Sequence, residues 1–233
     1  MVLMKKIIII FLIIISIFLI NKVTYNKKIN YVSIGDSLNR GINSYNIRGY
    51  GYNNYIKNYL YNNDLLDKYN DSFYNTTIVN LTNDILNNKT LIINNKEINI
   101  KKTLRESKVL VISIGMDELA YYFNNDYSNI EDNLNNFVEN INKFIKVVRD
   151  YAKNKIVFIG YYNPLNNYYS EIDRLFYNLD KELNNFLFSN NIDYIPLYEK
   201  IKKGNYRENN NYHLNTNGYL IIAEEIIKYI ENM

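Results

Sequence analysis

Apolar positions in this chain fall into two regimes. Residues 7–20 read IIIIFLIIISIFLI, broken only by Ser16 and bracketed by Lys5, Lys6 and Lys22. Beyond them, short apolar runs alternate with stretches of three-and-four spacing. YVSI (31–34), TTIVN (76–80), KVLVISI (108–114), KIVFIG (155–160) and IDYIP (192–196) predict five strands. Their nearly continuous apolar character predicts a parallel sheet covered on both faces. Between them, Ile130, Leu134, Phe137, Ile141, Phe144 and Val148 form one helical stripe. Leu175, Leu179, Leu183 and Phe186 form another, and Leu220, Ala223, Ile226, Ile227 and Ile230 a third over residues 217–230. This βαβ order predicts an α/β fold, a three-layer α/β/α sandwich on a mainly parallel five-stranded sheet. Residues 90–100, TLIINNKEINI, predict a small hairpin around Asn94-Asn95, added to the main rhythm of the sheet.

The run at 7–20 is too apolar for the surface of a soluble domain. It is longer than most signal-peptide cores and shorter than the roughly 20 residues of a comfortable membrane span. No small-x-small site follows it, which favours an uncleaved anchor over a cleaved signal. Local bilayer thinning and lysines reaching the interface accommodate a short span. The expected organisation is an anchor and linker at 1–28 and one domain at 29–233, outside the membrane by the charge bias of Lys5 and Lys6.

Charge sharpens this division. The net +3 of the chain comes from its N-terminus, where five lysines and no acid lie within residues 1–28. Residues 29–233 carry 22 basic and 24 acidic side chains, so the domain has no basic footprint for nucleic acid. The absence of cysteine excludes disulfides, a thiol nucleophile and thiolate metal sites. With 44 asparagines in the chain, any single Asn is a weak turn signal. Oligomeric state is not readable from these patterns.

Ligands of open parallel sheets sit beyond the carboxyl ends of the strands. That rule selects Gly35–Ser37, the residues after Val79, Gly115–Glu118 and the loop after Gly160. Gly35 permits a tight turn, after which Ser37 either exposes a nucleophilic hydroxyl or caps a helix. His213, the single histidine of the chain, lies just before the last helix stripe. It suits a general base for a serine, or it is an ordinary loop histidine. One histidine without spaced carboxylates is a poor metal site, and this chemistry requires no cofactor.

Taken together these blocks resemble the SGNH, or GDSL, hydrolase family, of the Gram-positive bacterial type. Gly35-Asp36-Ser37-Leu38 spells the family signature within YVSIGDSLNRG. His213-Leu214-Asn215, with Gly218-Tyr219 and Ile222-Ala223, is similar to its histidine block. VLVISIGMDEL (109–119) stands at its third block, and IVFIGYYNPL (156–165) is similar to a strand and loop of such members. The resemblance spans residues 30–231. It implies a flavodoxin-like sheet, a nucleophile at Ser37, a base at His213, and hydrolysis of carboxylic esters through an acyl-enzyme. Lipid acyl and glycan O-acyl esters are the implied substrates.

Three positions depart from the family pattern. Asn210 stands where an Asp three residues before the histidine is usual, so it can orient the imidazole but offers it no charge. Asp117 stands where an Asn donates to the oxyanion, beside the Ser37 amide. No glycine occurs in IVNLTNDIL (78–86), leaving the second-block donor unplaced among Asn80–Asp84. These departures admit two readings: a divergent working esterase, or an impaired domain kept for surface binding or as a scaffold. Tyr161, Tyr162, Tyr168 and Tyr169, with Tyr121, Tyr122, Phe123 and Tyr127, follow strand ends. Some of them are expected to line the acyl or glycan pocket, against the alternative of ordinary core and surface use.

Overall fold

The computed structural model describes residues 28–233 except 126, 166–169, 203 and 209–210. The apolar run at 7–20 therefore lies outside the described residues. Among the described residues, no helix is long and apolar enough to cross a membrane.

Five strands form the central sheet: β1 (Ile29–Gly35), β2 (Leu66–Tyr74), β5 (Val109–Ser113), β6 (Lys155–Ile159) and β7 (Asp193–Ile195). Their order is β2-β1-β5-β6-β7, and every pairing is parallel. Such a sheet needs a crossover after each strand, and the helices supply it. On one side α3 (Ile78–Leu86) and α4 (Ile100–Glu106) pack with α6 (Ile130–Tyr151). On the other, α2 (Tyr52–Asn62) packs against α9 (Thr216–Glu231). This is the expected three-layer sandwich. Two stripes are buried largely as expected: Phe137, Ile141, Phe144 and Val148 of α6 are wholly inaccessible, and Leu179 and Leu183 of α7 (Ser170–Ser189) are buried. On α9, Ala223, Ile226 and Ile230 are buried, but Leu220 is exposed and Ile222 faces inward in its place.

One strand is misplaced by the sequence pattern. TTIVN is not a strand: Thr77 caps α3, its hydroxyl accepting from the Asn80 amide, and Ile78-Val79-Asn80 is the first turn of the helix. The edge strand is instead β2, LDKYNDSFY, whose only fully buried residue is Phe73. An edge strand with one half-solvated face needs few apolar residues, so it produces no apolar run. The hairpin appears as expected, β3 (Thr90–Ile93) pairing antiparallel with β4 (Lys96–Asn99) in a sheet of its own. Asn94 and Asn95 both take positive φ, 50° and 59°, as a two-residue primed turn demands.

Two glycines shape the strand ends that carry the chemistry. At Gly35 the requirement is close approach rather than a special φ: an added Cβ would lie 2.1 Å from the Ser113 carbonyl oxygen of β5. Gly115 sits at φ 103°, and its Cβ would meet the Phe137 ring at 2.8 Å. It leads into α5 (Met116–Asn125), whose Glu118 reaches across to accept the Ile78 amide at 2.8 Å. That contact fixes the start of α3 against α5. Burial is the main cause pushing the Glu118 carboxyl up to about 7, with the Asp117 charge adding and the Ile78 amide opposing.

Two outcomes follow for stability. Gly35→Ala is expected to cost about 3 kcal/mol, because strand backbone rather than a flexible side chain must give way, measured by urea unfolding. Glu118 holds its proton in the fold at pH values where the unfolded chain has lost it. Its contribution is therefore full below about pH 4.5 and is lost as pH rises through about 7. Glu118→Gln keeps an acceptor for Ile78 and should remove this loss, about 3 kcal/mol in all. Unfolding free energies that change equally between pH 5 and 8 in both proteins would refute it.

Candidate active site

The sequence GDSL lies where two neighbouring strands, β1 and β5, end side by side. Asp36 follows β1 directly and is buried. It caps the single-turn helix α1 (Ser37–Arg40), its Oδ1 accepting from the Leu38 amide at 3.1 Å. Its Oδ2 accepts from the Met116 and Asp117 amides at 2.8 and 3.3 Å, at the start of α5. One carboxylate thus ties the end of β1 to the end of β5. Burial, and then the charge of Asp117, raise its carboxyl well above the usual range against the pull of those amides. So the sequence alternatives for this turn are shared out: Asp36 is the cap, and the Ser37 hydroxyl is left for other contacts.

Beneath the turn lies a buried polar network. Asn39 Oδ1 accepts from Ser33, from Tyr52 at 3.1 Å and from Asn53 at 3.0 Å. Tyr52 also reaches the Ser113 hydroxyl at 2.9 Å. A satisfied network of this kind holds α1 in one orientation, because every lost partner strands a buried polar group.

His213 arrives from the far end of the chain. Its Nε2 lies 3.1 Å from Ser37 Oγ, and 93% of its surface is covered. The Tyr212 ring lies against the imidazole, tilted by 34° with 4.1 Å between centroids. Burial lowers the imidazole pKa, and the charge of Asp117 opposes that shift. Asp117 meets the same serine: its Oδ1 accepts from Ser37 Oγ and its Oδ2 from the Ser37 amide at 3.3 Å. The Tyr212 hydroxyl donates to Asp117 Oδ1 at 3.1 Å. Ser37 Oγ therefore has one proton and two competing acceptors, His213 and Asp117.

The structure brings Ser37, His213 and Asp117 together. Asn210 lies outside the described residues, and the side chain seen at His213 Nδ1 is Asn46, with its Oδ1 at 3.0 Å. Sequence reasoning missed Asn46 and Tyr212. Tyr212 adjoins the histidine in sequence, whereas nothing distinguishes Asn46 among so many asparagines. Asn80–Asp84 lie within α3, where the Asn80 and Leu81 amides already donate to Thr77. Just before that helix, Thr76 and Thr77 line one cavity with Asp117.

The expected pocket tyrosines divide. Tyr161 and Tyr162 are buried, and their hydroxyls donate to the Ile114 carbonyl at 2.7 Å and the Tyr212 carbonyl at 2.8 Å. They are struts under the end of β5 and under the histidine loop. Their apolar ring and single donor suit a buried carbonyl better than a wet pocket. Tyr121 is exposed, and with Tyr122, Thr76, Thr77, Asp117 and Glu118 it lines a cavity of about 410 Å³ beside the serine. Tyr168 and Tyr169 lie outside the described residues. Among the described residues, no cluster of three or more His, Asp or Glu side chains is placed to hold a metal ion.

Known structures share this architecture. A lipase from a goat rumen metagenome superposes with a TM-score of 0.67 at 16% identity, over 85% of this chain and 95% of its own. An acetylxylan esterase from Geobacillus stearothermophilus gives 0.63 at 15%, covering 86% and 93%. A lipolytic protein of the G-D-S-L family from Veillonella parvula gives 0.59 at 14%, covering 87% and 98%. At such identities the likeness is one of fold. No curated protein sequence matches the chain. The model of the GDSL-like lipase/acylhydrolase family matches residues 31–226, nearly the whole of the described chain, and the protein belongs to that family.

Proposed function

We propose that this protein hydrolyses carboxylic esters, with Ser37 as nucleophile and His213 as general base. The observation that carries the reading is the 3.1 Å approach of His213 Nε2 to Ser37 Oγ at the carboxyl edge of a parallel sheet. Membership of a family of lipases and acylhydrolases agrees with it. In the forward step Nε2 takes the hydroxyl proton as Oγ attacks the acyl carbon. The imidazolium then returns that proton to the leaving alcohol. Water, deprotonated by the same nitrogen, releases the acid and restores Ser37. The Ser37 amide faces the place where the oxyanion develops.

Asp117 sets the constraint on this reaction. Its carboxylate occupies the Ser37 amide and competes for the hydroxyl proton, so substrate must displace it before attack. An ionised Asp117 would also repel the oxyanion. This contact is the specific observation behind a second reading, a family fold with little turnover that serves as a surface binding or scaffold domain.

The setting supports a reading of the substrate class. The cavity beside Asp117 is mostly apolar in lining and carries the exposed ring of Tyr121. It suits an acyl chain or an O-acylated sugar. We further propose that residues 7–20 tether residues 29–233 to the outer face of a membrane, within reach of lipid and glycan esters. The full chain is then expected to sediment with membranes, and a chain beginning at residue 29 to remain in the supernatant. Equal partitioning of the two would remove the tether from the proposal.

A fluorescent serine-directed phosphonate tests the chemistry. Labelling is expected for the wild-type chain and lost in Ser37→Ala and in His213→Ala. Its rate should rise with pH along a limb whose midpoint lies below the ordinary histidine value, because burial lowers the His213 pKa. Asp117→Asn, which exchanges a repelling carboxylate for a donor, should speed labelling by about 10- to 100-fold. A folded wild-type protein that stays unlabelled while Asp117→Asn reacts would establish the low-turnover reading. Silence in both would remove the hydrolase reading altogether.

A further inference from the structure

We propose that Asn46, at the tip of the loop after α1, is the positioning residue that fixes the tautomer and orientation of His213. The inference rests on the reading of Ser37 and His213 as nucleophile and base, and it adds the residue serving the ring's other nitrogen.

The loop is built to present this side chain. Gly41 ends α1 at φ 71°, and Ile42 pairs with Arg48 in an antiparallel bridge. Asn43 Oδ1 accepts from the Tyr45 amide at 2.9 Å, and the Asn46 amide donates to the Asn43 carbonyl at 2.9 Å. Asn46 itself sits at φ 60°, a left-handed conformation that Asn and Asp tolerate better than other side chains. Ser44 clamps the loop to the histidine segment, its hydroxyl donating to the His213 carbonyl at 2.9 Å and accepting from the Glu208 amide at 3.2 Å.

A chain of donors and acceptors then sets the proton on the imidazole. The His213 amide can only donate, and its partner on Asn211, at 3.0 Å, must be the carbonyl oxygen Oδ1. That orients the Asn211 amide group, so its Nδ2 donates to the Ser44 carbonyl at 3.1 Å and to Asn46 at 2.9 Å. The Asn46 atom receiving that bond must be its oxygen. The same oxygen lies 3.0 Å from His213 Nδ1. An oxygen cannot donate, so Nδ1 carries the hydrogen, and Nε2 is left with its lone pair toward Ser37 Oγ. This is the tautomer a general base requires. The order runs from a backbone amide, through Asn211 and Asn46, to the nitrogen that faces the nucleophile. Asn46 contributes direction and no charge. It can hold the ring but cannot stabilise the imidazolium as a carboxylate would.

Because the chain has a single histidine, nitrogen resonances of selectively ¹⁵N-labelled full-length protein in detergent report His213 alone. The wild type is expected to show the Nδ1–H form at neutral pH. Asn46→Gly retains the backbone conformation and removes the acceptor. It should shift the resonances toward the Nε2–H form and lower the phosphonate labelling rate at least about tenfold. Asn46→Asp restores the acceptor and should recover both readouts. Ser44→Ala loosens the loop clamp without touching Nδ1, and it should leave the tautomer in place. An Nε2–H wild type, or an Asn46→Gly protein that keeps the Nδ1–H form, overturns the proposal. If the tautomer responds while neither protein labels, the positioning role stands and the hydrolytic reading fails.

Discussion

The carboxylate of Asp36 is the contact on which the site depends. It is buried, it ends β1, and it accepts from Leu38 on its own helix and from Met116 and Asp117 on the next strand's loop. Parallel neighbours in a sheet have no direct connection at their ends, and this bridge adds to the Asp36 amide bond to the Ser113 carbonyl in tying the two loops. With it, Ser37 and Asp117 are held face to face. The close approach of Gly35 to Ser113 serves the same purpose one residue earlier, since any Cβ there would separate the strands.

The rest of the site is delivered from two distant segments. The loop of residues 41–49 follows directly after α1, and the histidine segment comes some 170 residues later. Ser44, Asn46 and Asn211 bind the two together. Tyr162 supports the histidine segment from the core side, through the Tyr212 carbonyl. His213 is thus held by backbone and amide groups that carry no formal charge. Asp117, bonded to the Ser37 hydroxyl on its other side, is a negative charge that acts on it.

That placement has a chemical consequence. In a resting site whose oxyanion donor is open, substrate enters against water. Here the Ser37 amide and hydroxyl are both engaged by one internal carboxylate, which Tyr212 also steadies. Under the proposed hydrolysis, turnover depends on how readily Asp117 gives way, a cost that falls on attack itself.

Much of this was legible beforehand. The buried strands, the three amphipathic helices and the hairpin at Asn94-Asn95 were readable because burial on both faces, or on one helical face, writes itself directly as apolar spacing. Ser37, Asp117 and His213 were legible because short motifs sit at strand and helix ends. β2 was not, because an edge strand is only partly buried and needs no apolar run, whereas TTIVN has the composition of a strand but begins with a helix cap. Tyr161 and Tyr162 were read as pocket residues because their sequence position is right; their hydroxyls find buried carbonyls instead. The sequence by itself determined the layers of the fold, which follow from local pattern, and its motifs singled out Ser37 and His213 as the candidate nucleophile and base. Only the tertiary structure decided which acceptor stands behind the histidine and what the Asp117 carboxylate touches. Those contacts join segments far apart in the chain, and no local signal sets one asparagine apart from the many others.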